Sequence, residues 1–162
     1  QNVFAVRNSE LHEKLNLNPG LVLPLPAIMN LLIMCAGIHS RGTINEVVRG
    51  YFGDKNAKPL FTSEEDIKIG KISLLKGKMF DIFSTKNTLR PFELATKRLI
   101  NMIEILSNWN VYVPDASFLT QRGATILLNE EDQVLYEFNS ESLLGYSSKM
   151  SAPLSFLDDI LN

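Results

Sequence analysis

Residues 120–136 read TQRGATILLNEEDQVLY and carry the pattern of a β-hairpin. Residues 123–128 form a continuous apolar run, and residues 129–132, NEED, are typical of a turn. In the second run, Val134 and Tyr136 alternate with neighbours of the opposite face. The spacing therefore predicts two strands joined by a tight turn, the second with one face toward the core.

Helices are predicted on both sides of this hairpin. Pro91 and Glu93 mark the start of a long amphipathic helix of about five turns. Its expected core face is the apolar series, while Glu93 falls on the polar face and pairs with Lys97. Residues 153–161 predict a short terminal helix. The apolar series comprises Phe92, Ala95, Leu99, Met102, Ile103, Leu106 and Trp109.

Residues 21–38, LVLPLPAIMNLLIMCAGI, carry no charge. Pro26 suits the first position of a helix and Gly37 its end, which gives a length of roughly 18 Å. A bilayer core is about 30 Å thick, so this helix is too short to span one. Because Asn30 is its one polar residue, we expect a central core helix, with a partner contact or a membrane surface as alternatives.

The remaining stretches are less regular. A helix is predicted over residues 41–54, with Thr43 and Glu46 at the spacing of a capping box. Residues 55–89 read as an insertion with short elements around 72–75 and 79–83. The chain begins at Gln1 with an apolar run at residues 3–6, which predicts a strand. We expect that strand to pair with an upstream segment or a partner, or to be a plain edge strand.

Composition excludes several classes of function. With 162 residues, 45% hydrophobic, and a net charge of −2, the chain is an ordinary folded protein without a nucleic-acid footprint. The single cysteine, Cys35, excludes an intramolecular disulfide and a cysteine-rich metal site. His12 and His39 are too isolated for a metal centre, so no metal or cofactor is expected. Neither a nucleophile elbow nor a phosphate-binding glycine loop is present.

The order of elements and four stretches of sequence resemble a known family. These stretches are RPFELAT at 90–96, YVPDASFLTQRG at 112–123, the hairpin at 120–136, and PLSFL at 153–157. They are similar to peroxiredoxin-like proteins of cyanobacteria and plastids, within the alkyl hydroperoxide reductase/thiol-specific antioxidant superfamily. The resemblance implies an α/β fold that is thioredoxin-like.

That resemblance also implies how the chain is organised. Residues 1–162 would form a single thioredoxin-like domain that lacks the N-terminal half bearing the active site. A mostly helical or irregular insertion would occupy residues 16–89. The C-terminal part would be the β-hairpin followed by a helix.

In the family, the active site uses a Pro, a Thr or Ser and a Cys at fixed spacing, with an Arg from a later strand. Arg122 matches that arginine, which would steady the thiolate and polarise the peroxide. Cys35 does not sit in the signature, because Leu32 replaces the Thr or Ser and Ile28 replaces the Pro. We therefore expect Cys35 to be a buried structural cysteine, with a redox role toward a partner as the alternative. Arg122 would then be a vestige or an ion-pair residue.

The uncharged residues 21–38, the strand-like run at residues 3–6 and the missing active-site cysteine favour a non-catalytic thioredoxin-like accessory or scaffold subunit of a larger assembly. The resemblance implies a photosynthetic membrane complex in a plastid or cyanobacterial cell as its host. The alternative is a thiol-dependent peroxidase or oxidoreductase whose catalytic cysteine lies upstream of this chain. A third hypothesis is a binder of lipid or pigment at a membrane surface. An aromatic cluster of Trp109, Tyr112 and Phe118 is either core or contact surface. Candidate partner-binding residues are Leu25, Ile28, Leu32, Trp109 and Tyr112.

Overall fold

A computed structural model of the protein describes residues 9–84 and 87–161. These residues form a mixed α/β structure with helices and two small antiparallel sheets. They cluster into two compact units: one combines the described residues up to Thr43 with those from Asp115 onward, and the other runs from Ile44 to Pro114. The second unit therefore differs from the insertion expected over residues 16–89. The strand predicted at residues 3–6 lies outside the described residues.

The first unit contains the predicted hairpin. Its strands β3 (Ala124–Leu128) and β4 (Val134–Asn139) pair antiparallel, with an irregularity after Leu127, which confirms the sequence pattern. The ring of Tyr136 stacks on Phe156 with centroids 4.0 Å apart. The predicted terminal helix is confirmed as a 3-10 turn followed by a short α-helix. The helices of this unit are α1 (Glu10–Lys14), α2 (Ala27–Cys35) and α6 (Asp158–Leu161).

The second unit is built around a small apolar core. Phe61, Ile67 and Phe80 are buried together, and the rings of Phe61 and Phe80 stack with centroids 5.9 Å apart. Strands β1 (Asp66–Ile69) and β2 (Ile72–Lys76) form a second antiparallel pair. The elements expected around 72–75 and 79–83 are confirmed as β2 and a 3-10 helix, whereas β1 was not predicted. Helices α4 (Glu93–Ser107) and α5 (Trp109–Tyr112) also belong to this unit.

Helix α3 (Thr43–Phe52) confirms the helix predicted over residues 41–54. The expected capping box is wrong in its partners, however. The Thr43 hydroxyl is buried against the hydroxyl of Ser40, 2.6 Å away. The Glu46 carboxylate instead accepts hydrogen bonds from Arg49 at 3.0 Å and Arg98 at 2.9 Å. Glu46 therefore joins α3 to α4 inside the second unit rather than closing the first turn of α3.

A carboxylate that is fully shielded from solvent organises the second unit. Glu93 has no exposed surface, and its oxygens accept the backbone N–H groups of Leu60, Phe61 and Arg90 at 2.8–3.0 Å. The Arg90 guanidinium donates to Glu93 at 2.6 Å and to the carbonyl of Phe61 at 2.5 Å, and it also contacts Asp81. Both oxygens of the buried charge thereby accept hydrogen bonds, three at Oε1 and one at Oε2, which offsets the cost of burying a carboxylate.

The buried ion pair of Glu93 and Arg90 gives α4 a different orientation from the one expected. Glu93, predicted on the solvent face, is buried, and Ile100 seven residues later packs on the core from the same side. Leu99 and Met102 from the predicted core face are 42% and 50% exposed. The prediction of a single apolar core face was therefore wrong, because the buried ion pair fixes the rotation of the helix. The helix also ends at Ser107, earlier than expected.

Replacing Glu93 tests this anchor. Glu93→Gln removes the negative charge opposite Arg90 and turns an amide N–H₂ toward backbone donors, so we expect a loss of about 3 kcal/mol in the free energy of unfolding. Urea denaturation followed by circular dichroism measures it. The matched control is Glu104→Gln on the exposed side of α4, where we expect a change below about 1 kcal/mol. Equal losses of unfolding free energy in the two variants would contradict the conclusion that Glu93 organises the second unit.

A close backbone approach in the first unit permits only glycine at position 20. Gly20 has φ of 79°, and a Cβ there would lie 1.9 Å from the carbonyl oxygen of Thr120. Gly20→Ala should therefore combine backbone strain with a steric clash and lower stability by about 2–4 kcal/mol. Gly70→Ala is the control, because Gly70 has φ of 58° with no atom within 4 Å of its Cβ position. The thermal midpoint of Gly70→Ala should fall less than that of Gly20→Ala. Equal falls in the two variants would mean that backbone strain, and not the clash with Thr120, causes the loss.

Candidate functional site

The buried side chains of helix α2 lie on one side of the helix, and its most exposed side chains lie on the other. Asn30 and Met34, one turn apart, are 4% and 0% exposed. Ile28 and Leu32 lie on the opposite side and are 41% and 54% exposed, with Met29 beside them at 45%. We call Ile28, Met29 and Leu32 the apolar face of α2. The prediction of a central core helix was therefore wrong.

The one polar residue of α2 explains this orientation. The Asn30 amide donates to the carbonyl of Leu23 at 3.1 Å, so it holds the chain that leads into the helix. The Leu23 carbonyl also accepts the backbone N–H of Leu25 at 2.7 Å, so two donors meet at this point of the chain. With Asn30 and Met34 turned inward, the aliphatic residues on the other side of the helix face outward.

Cys35 is exposed, which corrects the expectation of a buried structural cysteine. It follows Leu32 by three residues and Ile28 by seven, so it lies on the outward side of α2. Partial burial of the thiol is the main influence on its pKa and raises it, while the positive charge of Arg122 acts in the opposite direction more weakly. The net pKa is above the usual value for cysteine.

Arg122 is buried at 5% exposure. Its guanidinium donates to the carbonyl of Thr120, from Nε at 3.0 Å and Nη2 at 2.5 Å, and Nη2 also lies 3.4 Å from the Sδ of Met34. Its own carbonyl accepts a hydrogen bond from His12 Nε2 at 3.0 Å. Among the side chains that the structure describes, no carboxylate pairs with it, and the ion pair considered as an alternative role is not found there.

Cys35 and Arg122, the two candidate catalytic residues, are thus close enough for each charge to affect the pKa of the other group. Desolvation lowers the pKa of Arg122, and the neighbouring Cys35 partly opposes that shift. Two features disfavour a reactive thiolate at Cys35. Its pKa is raised, and it is the last residue of α2, where the helix dipole is negative. A nucleophilic thiolate is stabilised at the opposite end of a helix.

The predicted aromatic cluster is divided between the two units. Trp109 and Tyr112 belong to α5 in the second unit, while Phe118 belongs to the first. Trp109 is half-buried and Tyr112 is 52% exposed, so Tyr112 is a surface residue rather than part of the core. Its hydroxyl donates to Glu104 at 2.9 Å, and that hydrogen bond raises the pKa of Tyr112.

Several residues of these sites were not identified from the sequence. Met34 touches the guanidinium of Arg122, and His12 holds the Arg122 backbone from 110 positions away along the chain. No short-range pattern signals either contact. Asn30 could have been found, because a lone amide in an otherwise apolar helix is expected to be satisfied by a backbone partner.

Other features bear on metals and membranes. In the part of the chain that the structure describes, His, Cys, Asp and Glu form no group of three or more that could hold a metal ion. None of the helices in that part combines the length and the apolarity needed to cross a bilayer.

Comparison with known proteins finds no matching family model, no curated protein with significant similarity, and no solved structure with a significantly similar fold.

The reactivity of Cys35 provides a test of this site. We expect iodoacetamide to alkylate Cys35 slowly at neutral pH, because the raised pKa leaves little thiolate. The alkylation rate should rise steeply only when the pH exceeds the usual pKa of a thiol. Arg122→Gln removes the cation that favours the thiolate and should move the rate profile to higher pH, whereas Arg122→Lys should keep it near the wild-type position. Lys149→Gln, an exposed cation of the same unit, is the control and should leave the profile unchanged. A profile centred at or below about pH 7 would contradict this description.

Proposed function

We propose that this chain is a non-catalytic accessory or scaffold subunit of a larger assembly, and that it binds a protein partner through the apolar face of α2. The observation that carries the proposal is the exposure of Ile28, Met29 and Leu32 beside two buried neighbours. Aliphatic side chains concentrated on one side of a helix are typical of a surface that another molecule covers.

Covering that face would contribute appreciably to binding. Full burial of one such side chain stabilises by about 1.5–3 kcal/mol, and the three residues are about half exposed. A partner that buried all three would therefore gain about 2–4 kcal/mol from this face before the costs of association. Leu25, which precedes the helix and is 45% exposed, extends the face.

The absence of charge favours a protein over a lipid surface as the partner. Helices that lie on membranes carry a basic face, and α2 has no basic residue in its last turn and no charge over residues 21–38. An apolar, uncharged patch of a protein surface matches this chemistry. In the second unit, the exposed side chains of Val111 and Tyr112 offer a separate contact of the same kind.

The sequence resemblance supports the class of host. The stretch 120–136 corresponds to β3, its turn and β4, and the terminal helix follows as it does in thioredoxin-like proteins. We therefore propose a thioredoxin-like, peroxiredoxin-related origin for the chain and a photosynthetic membrane complex as its host. The raised pKa of Cys35 supports a role without thiol catalysis.

A second candidate function is a thiol-dependent peroxidase or oxidoreductase whose catalytic cysteine lies upstream. The observation that favours it is the buried guanidinium of Arg122, which no carboxylate among the described side chains neutralises. In that case Arg122 would serve a cysteine other than Cys35. Peroxide consumption by the parent protein, lost in Arg122→Gln and retained in Cys35→Ser, would distinguish this function from the first.

Leu32→Glu tests the proposed binding face. A carboxylate placed in an apolar interface must be desolvated, so we expect the variant to leave the native assembly and elute as the free chain. Ile72→Glu, at a residue 74% exposed on β2, is the matched control and should remain in the assembly. Size-exclusion chromatography of the tagged chain expressed in its source cells measures this.

A fluorescence measurement supports the same experiment. The dye ANS should bind the purified wild-type chain, and its fluorescence should fall in Leu32→Glu more than in Ile72→Glu. A chain that is monomeric, does not bind ANS and enters no assembly would contradict the proposal. Comparable thermal midpoints for the two variants would show that lost binding does not reflect unfolding.

A further inference from the structure

A cavity of about 410 Å³ opens in the first unit, and none of its lining residues belongs to the apolar face of α2. Its size falls in the range of small-molecule sites, about 300–1,000 Å³. Six residues line it, and all of them except one glycine carry polar side chains: Asn18, Gly37, His39, Ser40, Arg41 and Glu141.

Buried hydroxyl groups hold two walls of the cavity together. Ser40 and Thr43 are 2% and 1% exposed, and their hydroxyls both accept the backbone N–H of Leu143, at 3.1 and 3.0 Å. The Ser40 hydroxyl also lies 3.3 Å from the carbonyl of Glu141. These bonds fix the segment that carries Arg41 against the segment that carries Glu141. The relative position of the two backbone segments is therefore set by the buried network.

The charged side chains of the cavity are not committed to other groups. Among the described residues, neither Arg41 nor Glu141 has a side-chain hydrogen bond or an ion pair. They do not pair with each other, so more than 4.0 Å separates their charged atoms. The cavity therefore has a positively charged side at Arg41 and a negatively charged side at Glu141, and the two groups do not neutralise each other.

We propose that this cavity binds a small zwitterion, with its carboxylate at Arg41 and its ammonium group at Glu141. A simple anion would be attracted by Arg41 and repelled by Glu141, and a simple cation would meet the reverse. A molecule that carries both charges satisfies both walls at once. His39 and Asn18 also line the cavity and carry hydrogen-bonding side chains. The ligand class is thus a free amino acid or an ω-amino acid.

Calorimetric titration of the full chain at low ionic strength tests the ligand class. The probes are glycine, β-alanine, γ-aminobutyrate and ε-aminocaproate, which place the two charges at increasing separation. Acetate and methylamine serve as single-charge probes. We expect at least one zwitterion to bind about tenfold more tightly than either single-charge probe, and the best separation reports the distance across the cavity. No such preference in the series would overturn the proposal.

Two substitutions test the assignment of the walls. Arg41→Gln and Glu141→Gln should each weaken the best zwitterion about tenfold. Exchange of the two charges in the double variant R41E/E141R should restore part of the affinity. Lys149→Gln is the control for net charge and should have no effect. Because both side chains are exposed and unpaired among the described residues, the variants should keep the wild-type circular dichroism and thermal midpoint.

Two results would overturn the assignment. An equal loss of affinity in Lys149→Gln would reduce the effect to overall charge. Tighter binding in Glu141→Gln would indicate a site for simple anions.

Discussion

The second unit depends on one buried carboxylate. Glu93 has lost all contact with solvent, and such a charge is tolerated only when hydrogen-bond donors surround it. Three backbone N–H groups and the Arg90 guanidinium provide them, and these donors come from the loop before β1 and from the start of α4. Arg90 also lies 5.6 Å from the ring centre of Phe80, which connects the ion pair to the apolar core. The core, the loop and the rotation of α4 therefore follow from a single charge.

The first unit obeys a related rule, because polar groups again occupy its interior. Arg122 is held by the carbonyl of Thr120, and that carbonyl leaves no room for a side chain at Gly20. Asn30 and the hydroxyls of Ser40 and Thr43 are buried as well. In α2, Asn30 and Met34 take the inner positions, and the aliphatic side chains on the other side of the helix lie at the surface. The apolar face of α2 is the result, and it supports the proposal of a partner-binding subunit.

The same arrangement separates the two proposed surfaces of the first unit. The apolar face of α2 suits a protein, whereas the cavity lined by Arg41 and Glu141 suits a small charged molecule. The two surfaces share no residue, so the proposed accessory role and the proposed zwitterion site can be tested independently. Cys35 and Arg122 remain electrostatic neighbours, but the high pKa of the thiol and its place at the C-terminal end of α2 favour an unreactive side chain.

The sequence by itself determined the local elements. The hairpin of β3 and β4, the helix over 43–52, the terminal helix and the absence of a charge in residues 21–38 all follow from periodicity, turn residues and composition. Only the tertiary structure decided which side of each helix is buried. Glu93, expected on the solvent face of α4, is buried, and α2, expected to be buried on every side, buries its one amide and exposes an aliphatic side, because the cost of burying a polar group depends on whether distant backbone donors and acceptors meet it. The backbone donors of Leu60 and Phe61 lie about thirty positions from Glu93, and the segments that carry Arg41 and Glu141 are joined by contacts about a hundred positions apart, beyond the reach of any local pattern.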